Sequence, residues 1–120
     1  MTGRRVAIWA ARAAFLVAMA AIFFAAVAPP GEGPSLVPWD KANHFIAFYV
    51  LAITASAGFP RTKSLLIAAG LMAFGGAIEV VQGLPMVGRD ADVGDWIADG
   101  LGVAAVVVPL ALARWRTAAD

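Results

Sequence analysis

The chain has 120 residues, of which 62% are hydrophobic and 14% are charged, with a net charge of +1 and a mean hydropathy of +0.82. A soluble domain is about 45–50% apolar and about 25% charged, so a water-soluble protein of this length could not bury this much apolar surface. The absence of cysteine excludes disulfides, thiolate metal sites and cysteine nucleophiles. The composition therefore predicts an integral membrane protein.

Four apolar segments follow one another, and each is close to the roughly 20 residues that cross a bilayer core. They cover residues 6–28, 41–59, 64–83 and 93–113, and a stretch rich in proline and glycine separates the first two. Only Arg12 interrupts the first segment, and we expect its guanidinium to extend back to the lipid headgroups. The sequence predicts an all-α integral membrane fold, a bundle of four transmembrane helices in one domain over residues 1–120.

Small residues inside these segments indicate close packing, because small side chains let membrane helices approach one another. The positions expected to do so are Gly70, Gly75, Gly76, Gly100 and Gly102.

The charges are distributed unevenly between the two ends of the predicted helices. Loops rich in lysine and arginine stay cytoplasmic. One side has Arg4, Arg5, Arg12, Arg61, Lys63, Arg114 and Arg116, and the other has Lys41 and Arg89. The acids show the reverse, with Glu32, Asp40, Glu79, Asp90, Asp92, Asp95 and Asp99 in the outer half and Asp120 on the inner side. Both termini are therefore predicted to be cytoplasmic (N-in/C-in).

Ionisable residues from three predicted helices lie at a similar depth below the outer face. At a rise of about 1.5 Å per residue, His44 lies about one turn into the second helix and Glu79 about one turn before the end of the third. Asp95 and Asp99 lie about one and two turns into the fourth helix. An ionisable group that faces lipid costs at least ~2.5–3.5 kcal/mol at mid-membrane, so these side chains should turn inward.

Spacings of three and four residues strengthen this prediction, because they place side chains on one helical face. The sets that share a face are Asp40 with His44, Glu79 with Gln82, and Asp92 with Asp95 and Asp99.

Some of these residues have a simpler structural interpretation. Asp92 is expected to be the N-cap of the fourth helix, with Asp95 in its first turn, and Asp40 is expected to cap the second. The residues that no helix end requires are His44, Glu79 and Asp99. They are candidates for function or, alternatively, members of a hydrogen-bonded network that only holds the helices together.

Carboxylates beside one imidazole suit several kinds of chemistry. They can transfer protons, hold a hard divalent cation, or bind an ammonium-bearing headgroup or a peptide amine. The stretch from Asp90 to Asp95 does not form an EF-hand, because Gly94 and Leu101 stand where ligands are required. No nucleophile motif, phosphate loop or nucleic-acid-binding surface is present. The sequence therefore specifies no reaction, no metal ligand is assigned, and the cofactor stays unknown.

An ordered series of polar motifs runs from residue 40 to residue 102. It consists of Asp40, Lys41, His44, Phe45 and Phe48, then Glu79 and Gln82, then Arg89, and finally Asp95, Asp99, Gly100 and Gly102. In this order the chain resembles the VanZ-like family of small bacterial membrane proteins. Two positions depart from the family pattern, since Asp99 stands where asparagine is more frequent and Phe48 where tyrosine is common.

The resemblance implies a four-helix domain in the bacterial cytoplasmic (inner) membrane. It also implies an association with resistance to lipid-bearing glycopeptide antibiotics such as teicoplanin. It implies no known reaction, so whether the chain is an enzyme stays open.

The leading functional prediction is a pocket on the extracytoplasmic side that binds or modifies an amphiphilic cell-envelope substrate. That substrate would be a lipid headgroup, a cell-wall precursor or a lipoglycopeptide. The catalytic candidates are His44, Glu79 and Asp95, and the substrate-binding candidates are Asp40, Lys41, Gln82, Arg89, Asp92 and Asp99. Lys41 and Arg89 are expected to hold an anionic group such as phosphate.

The alternative is a non-catalytic accessory or scaffold protein whose polar layer only packs helices. The expected surroundings are the lipid bilayer and an envelope amphiphile, and no nucleic acid. Oligomerisation is left open.

Overall fold

The computed structural model describes residues 2–29, 37–89 and 91–119, and all secondary structure in these ranges is helical. The helices are α1 (Gly3–Val27), α2 (Asp40–Gly58), α3 (Ser64–Gln82) and α4 (Val93–Ala119). They match the predicted segments, but α1 begins earlier and α4 ends later. The apolar pattern predicts only the part of each helix that lies in the membrane core. The helices continue beyond that part because arginine and alanine are good helix formers. The acids Glu32, Asp90 and Asp120 lie outside the described residues.

Three helices are long and apolar enough to cross a membrane. They are Gly3–Val27, Ser64–Gln82 and the Val93–Ala118 part of α4. Many large apolar side chains on these helices, such as Leu16 and Phe24 on α1 and Leu65 on α3, are exposed on the protein surface. Such surfaces suit lipid rather than water. The chain is therefore a membrane protein by the length and composition of its helices.

The core is built around α2, which packs against each of the other helices. Phe48, Leu51 and Ala52 of α2 are almost completely buried, and they pack with Ile78 of α3 and Val103 of α4. Because α2 lies in the middle, the polar residues of its first two turns are held against the start of α4.

At Gly102 the backbones of α2 and α4 approach each other closely. A Cβ atom at this position would overlap the carbonyl oxygen of Phe45 and lie 3.0 Å from the backbone nitrogen of Tyr49. Only glycine allows two backbones this near to each other. The predicted packing role of Gly102 is therefore confirmed.

The other four glycines differ in their surroundings. A Cβ at Gly75 would lie 2.8 Å from Oδ2 of Asp99, so this position is also crowded. Gly76 and Gly100 face only side-chain atoms of Trp96 and Met72, and Gly70 has no other atom within 4 Å of the Cβ position. The predicted packing role is wrong for Gly70, because its face of α3 turns away from the other helices.

Two arginines make hydrogen bonds at the end of the molecule where α2 ends and α3 begins. Arg12 of α1 donates from Nε to the carbonyl oxygen of Gly58 at 2.7 Å, and its guanidinium lies over the rings of Trp9 and Phe59. Arg12 thus binds the last carbonyl oxygen of α2, where a cation is favourable, and its extension to the lipid headgroups stays a prediction.

Arg114 of α4 holds the same end from the other side. Its guanidinium donates to the carbonyl oxygens of Pro60 and Thr62 and to Oγ of Ser64. The short α2–α3 turn is therefore tied to α4.

Candidate functional site

The imidazole of His44 lies among three carboxylates at the start of α2 and α4. Its Nδ1 is 2.7 Å from Oδ1 of Asp99, and its Nε2 is 3.7 Å from Oδ2 of Asp40 and 3.8 Å from Oδ2 of Asp95. Asp99 is fully buried, and Asp95 is only 6% exposed. With Glu79, these residues are named the His44 cluster below.

Helix geometry explains why α2 and α4 meet through these residues. Asp40 and His44 are four residues apart on α2, as are Asp95 and Asp99 on α4, and this spacing puts each pair on one face. The close approach at Gly102 brings the two faces together about one turn farther along α4. The prediction that these side chains turn inward is confirmed for Asp95 and Asp99.

Lys41 links α2 to α4 at the rim of the cluster. Its Nζ donates to Oδ2 of Asp92 at 2.7 Å and to Oδ1 of Asp95 at 3.1 Å. We expected Lys41 to hold an anionic substrate group. Its ammonium is engaged by two protein carboxylates, which supply it with negative charge, and its binding of a substrate anion stays a prediction.

Of the two aspartates predicted to cap a helix, Asp92 does so and Asp40 does not. Asp92 directly precedes α4, and its Oδ1 accepts from the backbone N–H of Gly94 at 2.8 Å, which confirms the N-cap. Asp40 is the first residue of α2 itself, and the N-cap Trp39 makes no side-chain cap bond. The prediction that Asp40 caps α2 is therefore wrong, and its carboxylate instead faces His44.

The two carboxylate oxygens of Glu79 have different surroundings. Oε2 accepts from the backbone N–H of Asp92 at 3.0 Å, and Oε1 is buried without a hydrogen-bond partner among the described residues. Ligand atoms of Glu79, His44 and Asp99 lie within 4.8 Å of one another. The expectation that Glu79 serves no helix end is wrong, because it fixes the capping residue of α4.

Gln82 and Arg89 contact the end of α1. Nε2 of Gln82 donates to the carbonyl oxygen of Ala26 at 3.3 Å, and NH1 of Arg89 donates to that of Ala28 at 3.3 Å. Carbonyl oxygens at a helix C-terminus have no hydrogen-bond donor within the helix, and Gln82 and Arg89 supply donors for two of them at the end of α1. These two candidates for substrate binding are thus used to hold α1 in place.

Asn43 is a polar residue that the sequence analysis did not select. Its amide accepts from the N–H of Val37 at 3.0 Å and donates to the carbonyl oxygen of the same residue at 2.8 Å. It therefore anchors the segment that leads into α2. The sequence feature that could have identified Asn43 is its position one residue before His44, at the polar start of an apolar helix.

Negative charge exceeds positive charge around His44. The carboxylates here are Asp40, Glu79, Asp92, Asp95 and Asp99. Among the described residues, the basic side chains that contact them are Lys41 and His44, and His44 carries a positive charge only when its imidazole is protonated. Oδ2 of Asp99 and Oε1 of Glu79 are buried and unpartnered in the described part of the chain. Buried carboxylates need a proton, a cation or a hydrogen-bond donor, so the cluster is suited to proton transfer or to binding a positive group.

The carboxylate of Asp92 provides a pH-dependent contribution to stability. The hydrogen bond from Lys41, and then that from the Gly94 N–H, hold the pKa of Asp92 below its ordinary value. Because the folded pKa is the lower one, the stabilisation is present at neutral pH and is lost as the pH falls through it. We expect Asp92→Asn to lower the melting temperature in detergent at pH 7 and the difference from wild type to vanish in acid. A difference that grows in acid would contradict this assignment.

Comparisons of the chain with protein-family models, with curated proteins and with solved structures find no match.

Proposed function

We propose that the His44 cluster binds, and through its acid/base groups modifies, the polar headgroup of an amphiphilic cell-envelope molecule. The observation that carries this proposal is the convergence of α2, α3 and α4 on one imidazole, with two buried carboxylate oxygens that no described residue satisfies. Ionisable residues inside a membrane protein are costly, and they are retained where they serve a ligand or a proton.

The position of the cluster supports an amphiphile as the ligand. The cluster lies at the start of α2 and α4, so a headgroup can enter it while apolar tails stay along the lipid-facing helices. The side chain of Asp40 is 61% exposed and marks the open rim, whereas Asp99 forms the buried floor. His44 lies between them and is the natural proton donor or acceptor.

The proposal includes the family and the topology. The motif series of residues 40–102 supports a VanZ-like protein associated with teicoplanin-type resistance. The arginine- and lysine-rich ends support cytoplasmic termini in the bacterial inner membrane, with the cluster outside. In this arrangement α2 is the fourth membrane-spanning helix.

The test is protection of a teicoplanin-sensitive bacterium by the chain. Cells that produce wild-type protein should grow at higher teicoplanin concentrations, and cells with His44→Gln or Glu79→Gln should lose most of this protection. Glutamine at position 44 retains an N–H donor for Asp99, so the fold is preserved while the imidazole is removed. The measurement is the inhibitory concentration at equal abundance in the membrane fraction.

Thr54→Val is the matched control for this experiment. Thr54 also lies on α2, but within the described ranges its hydroxyl donates to carbonyl oxygens of its own helix alone, so protection should persist. Full protection by both cluster variants at wild-type abundance would rule out the proposed site. Failure of wild-type protein to protect would remove the antibiotic association.

A non-catalytic scaffold is the second candidate function, and specific contacts favour it. Lys41, Gln82 and Arg89 each bind protein groups on another helix, as expected of residues that only hold a bundle together. A scaffold predicts that protection follows protein abundance in every variant. The comparison at equal abundance distinguishes the two functions.

A further inference from the structure

We infer that Nε2 of His44, together with Asp40 and Asp95, binds a divalent transition-metal ion of the zinc type, with Asp99 as the residue that orients the imidazole. The inference rests on the site proposed above, but it concerns an inorganic ligand and can be tested on purified protein without any envelope substrate.

The two nitrogens of His44 have different surroundings. Nδ1 makes a hydrogen bond of 2.7 Å to the buried carboxylate of Asp99, whereas Nε2 has two carboxylate oxygens at 3.7 and 3.8 Å. The latter distances exceed those of hydrogen bonds. A histidine that binds a metal usually donates its other N–H to a carboxylate, which fixes the ring and the tautomer. His44 has this arrangement.

The distances suit a metal ion with short bonds. Zinc bonds to nitrogen and oxygen are about 2.0–2.2 Å, which separates tetrahedral ligand atoms by about 3.3–3.6 Å. Ligand atoms of Asp40, His44 and Asp95 all lie within 4.8 Å of one another. The two distances from Nε2 would have to shorten by a few tenths of an ångström. The carboxylate oxygens of Asp40 and Asp95, which lie within 4.8 Å of each other, would have to approach by up to about 1.5 Å.

The buried carboxylate of Asp99 also indicates a missing positive charge. Asp99 is fully buried, its Oδ2 has no partner among the described residues, and its one bonded group is the imidazole of His44. Lys41 is occupied by Asp92 and Asp95, so it does not compensate the charge on Asp99. A metal ion on Nε2 would place positive charge on the imidazole and leave Nδ1–H as the donor to Asp99.

The donor set also indicates the class of ligand that the metal would hold. One imidazole and two carboxylates favour zinc or manganese over magnesium, which avoids nitrogen ligands. Three protein ligands leave a coordination position free, as in catalytic rather than structural zinc sites. Because Asp40 is exposed, that position can face an entering headgroup, and a phosphate oxygen is the group that a hard, open site would bind.

The experiment measures Zn²⁺ binding to chelator-treated, detergent-purified protein by calorimetry, with elemental analysis for stoichiometry and Co²⁺ absorption for geometry. Wild type should bind one ion per chain. His44→Gln and Asp95→Asn should weaken the affinity by more than about tenfold, since loss of a mere supporting residue already costs about 10–100-fold. Helical circular dichroism confirms that each variant is folded.

Two matched carboxylate variants distinguish this site from nearby alternatives. Asp92→Asn removes a neighbouring carboxylate outside the set, and Glu79→Gln tests the other group of His44, Glu79 and Asp99. Both should retain Zn²⁺ affinity within about threefold, a small change beside the effect of losing a supporting residue. The inference would be overturned if wild type did not bind one Zn²⁺ per chain, or if His44→Gln kept the wild-type affinity. It would also be overturned if Glu79→Gln were the one variant that lost Zn²⁺ affinity. Metal binding without teicoplanin protection would leave this inference standing while the proposed function fails.

Discussion

Replacing His44 by leucine is expected to lower the free energy of unfolding by about 3–5 kcal/mol, the usual cost of removing one partner from a buried charged pair. The substitution leaves Asp99 at the centre of the bundle with no partner on either oxygen, because its Oδ2 is already unpartnered among the described residues. The loss therefore comes mainly from an uncompensated carboxylate and only in part from the missing imidazole.

A double-mutant cycle measures this effect directly. His44→Leu, Asp99→Leu and the combined variant would be unfolded in mixed micelles, with loss of helical circular dichroism as the signal. The combined variant should recover much of the stability lost in His44→Leu, because replacing both partners of a buried pair by apolar groups is often neutral. Additive losses in the double variant would show that the two side chains are not coupled.

Gly102→Ala is expected to destabilise the protein by about 1–3 kcal/mol, as overpacking of a well-packed interior does. The added methyl group would overlap the carbonyl oxygen of Phe45 and crowd the backbone nitrogen of Tyr49. These are backbone atoms, which cannot rotate aside, so α2 and α4 must move apart.

Gly70→Ala is the matched control, since both glycines lie in helices and the Cβ position of Gly70 has no neighbouring atom within 4 Å. Alanine should be neutral there or stabilising by about 0.5–1 kcal/mol, because glycine is the poorer helix former. Equal effects of the two substitutions on unfolding would contradict the close approach at Gly102.

These two predictions concern the same feature of the fold. The contact at Gly102 sets the distance between α2 and α4, and that distance brings Asp95 and Asp99 to His44. Gly102→Ala should therefore weaken Zn²⁺ binding as well as stability, although Gly102 contributes no ligand.

Most of the His44 cluster could be predicted from the depth of its residues in the helices. Helical rise and spacing depend only on position along the chain, so they placed His44, Glu79, Asp95 and Asp99 in one layer. The partners of each group could not be predicted in this way. Helix rotation decides that Nδ1 of His44 meets Asp99 and that Asp40 faces the imidazole.

The cationic candidates show the same limit. A lysine or arginine beside the cluster suits a phosphate ligand as well as a protein carboxylate, and the sequence does not distinguish the two. The structure pairs Lys41 with Asp92 and Asp95 and places Arg89 against the carbonyl oxygen of Ala28. Which partner is present depends on where α1 ends and where α4 begins in space.

The apolar excess, the four helical segments and the common layer of ionisable groups were determined by the sequence alone, because burial in lipid and helical periodicity act along the chain. The tertiary structure alone decided which glycine joins two backbones, which acid caps a helix and which carboxylates surround the imidazole. Gly70 and Gly102 have the same side chain in similar segments, yet only Gly102 lies where two helices touch. Such distinctions arise from the rotation and spacing of packed helices, which no single segment encodes.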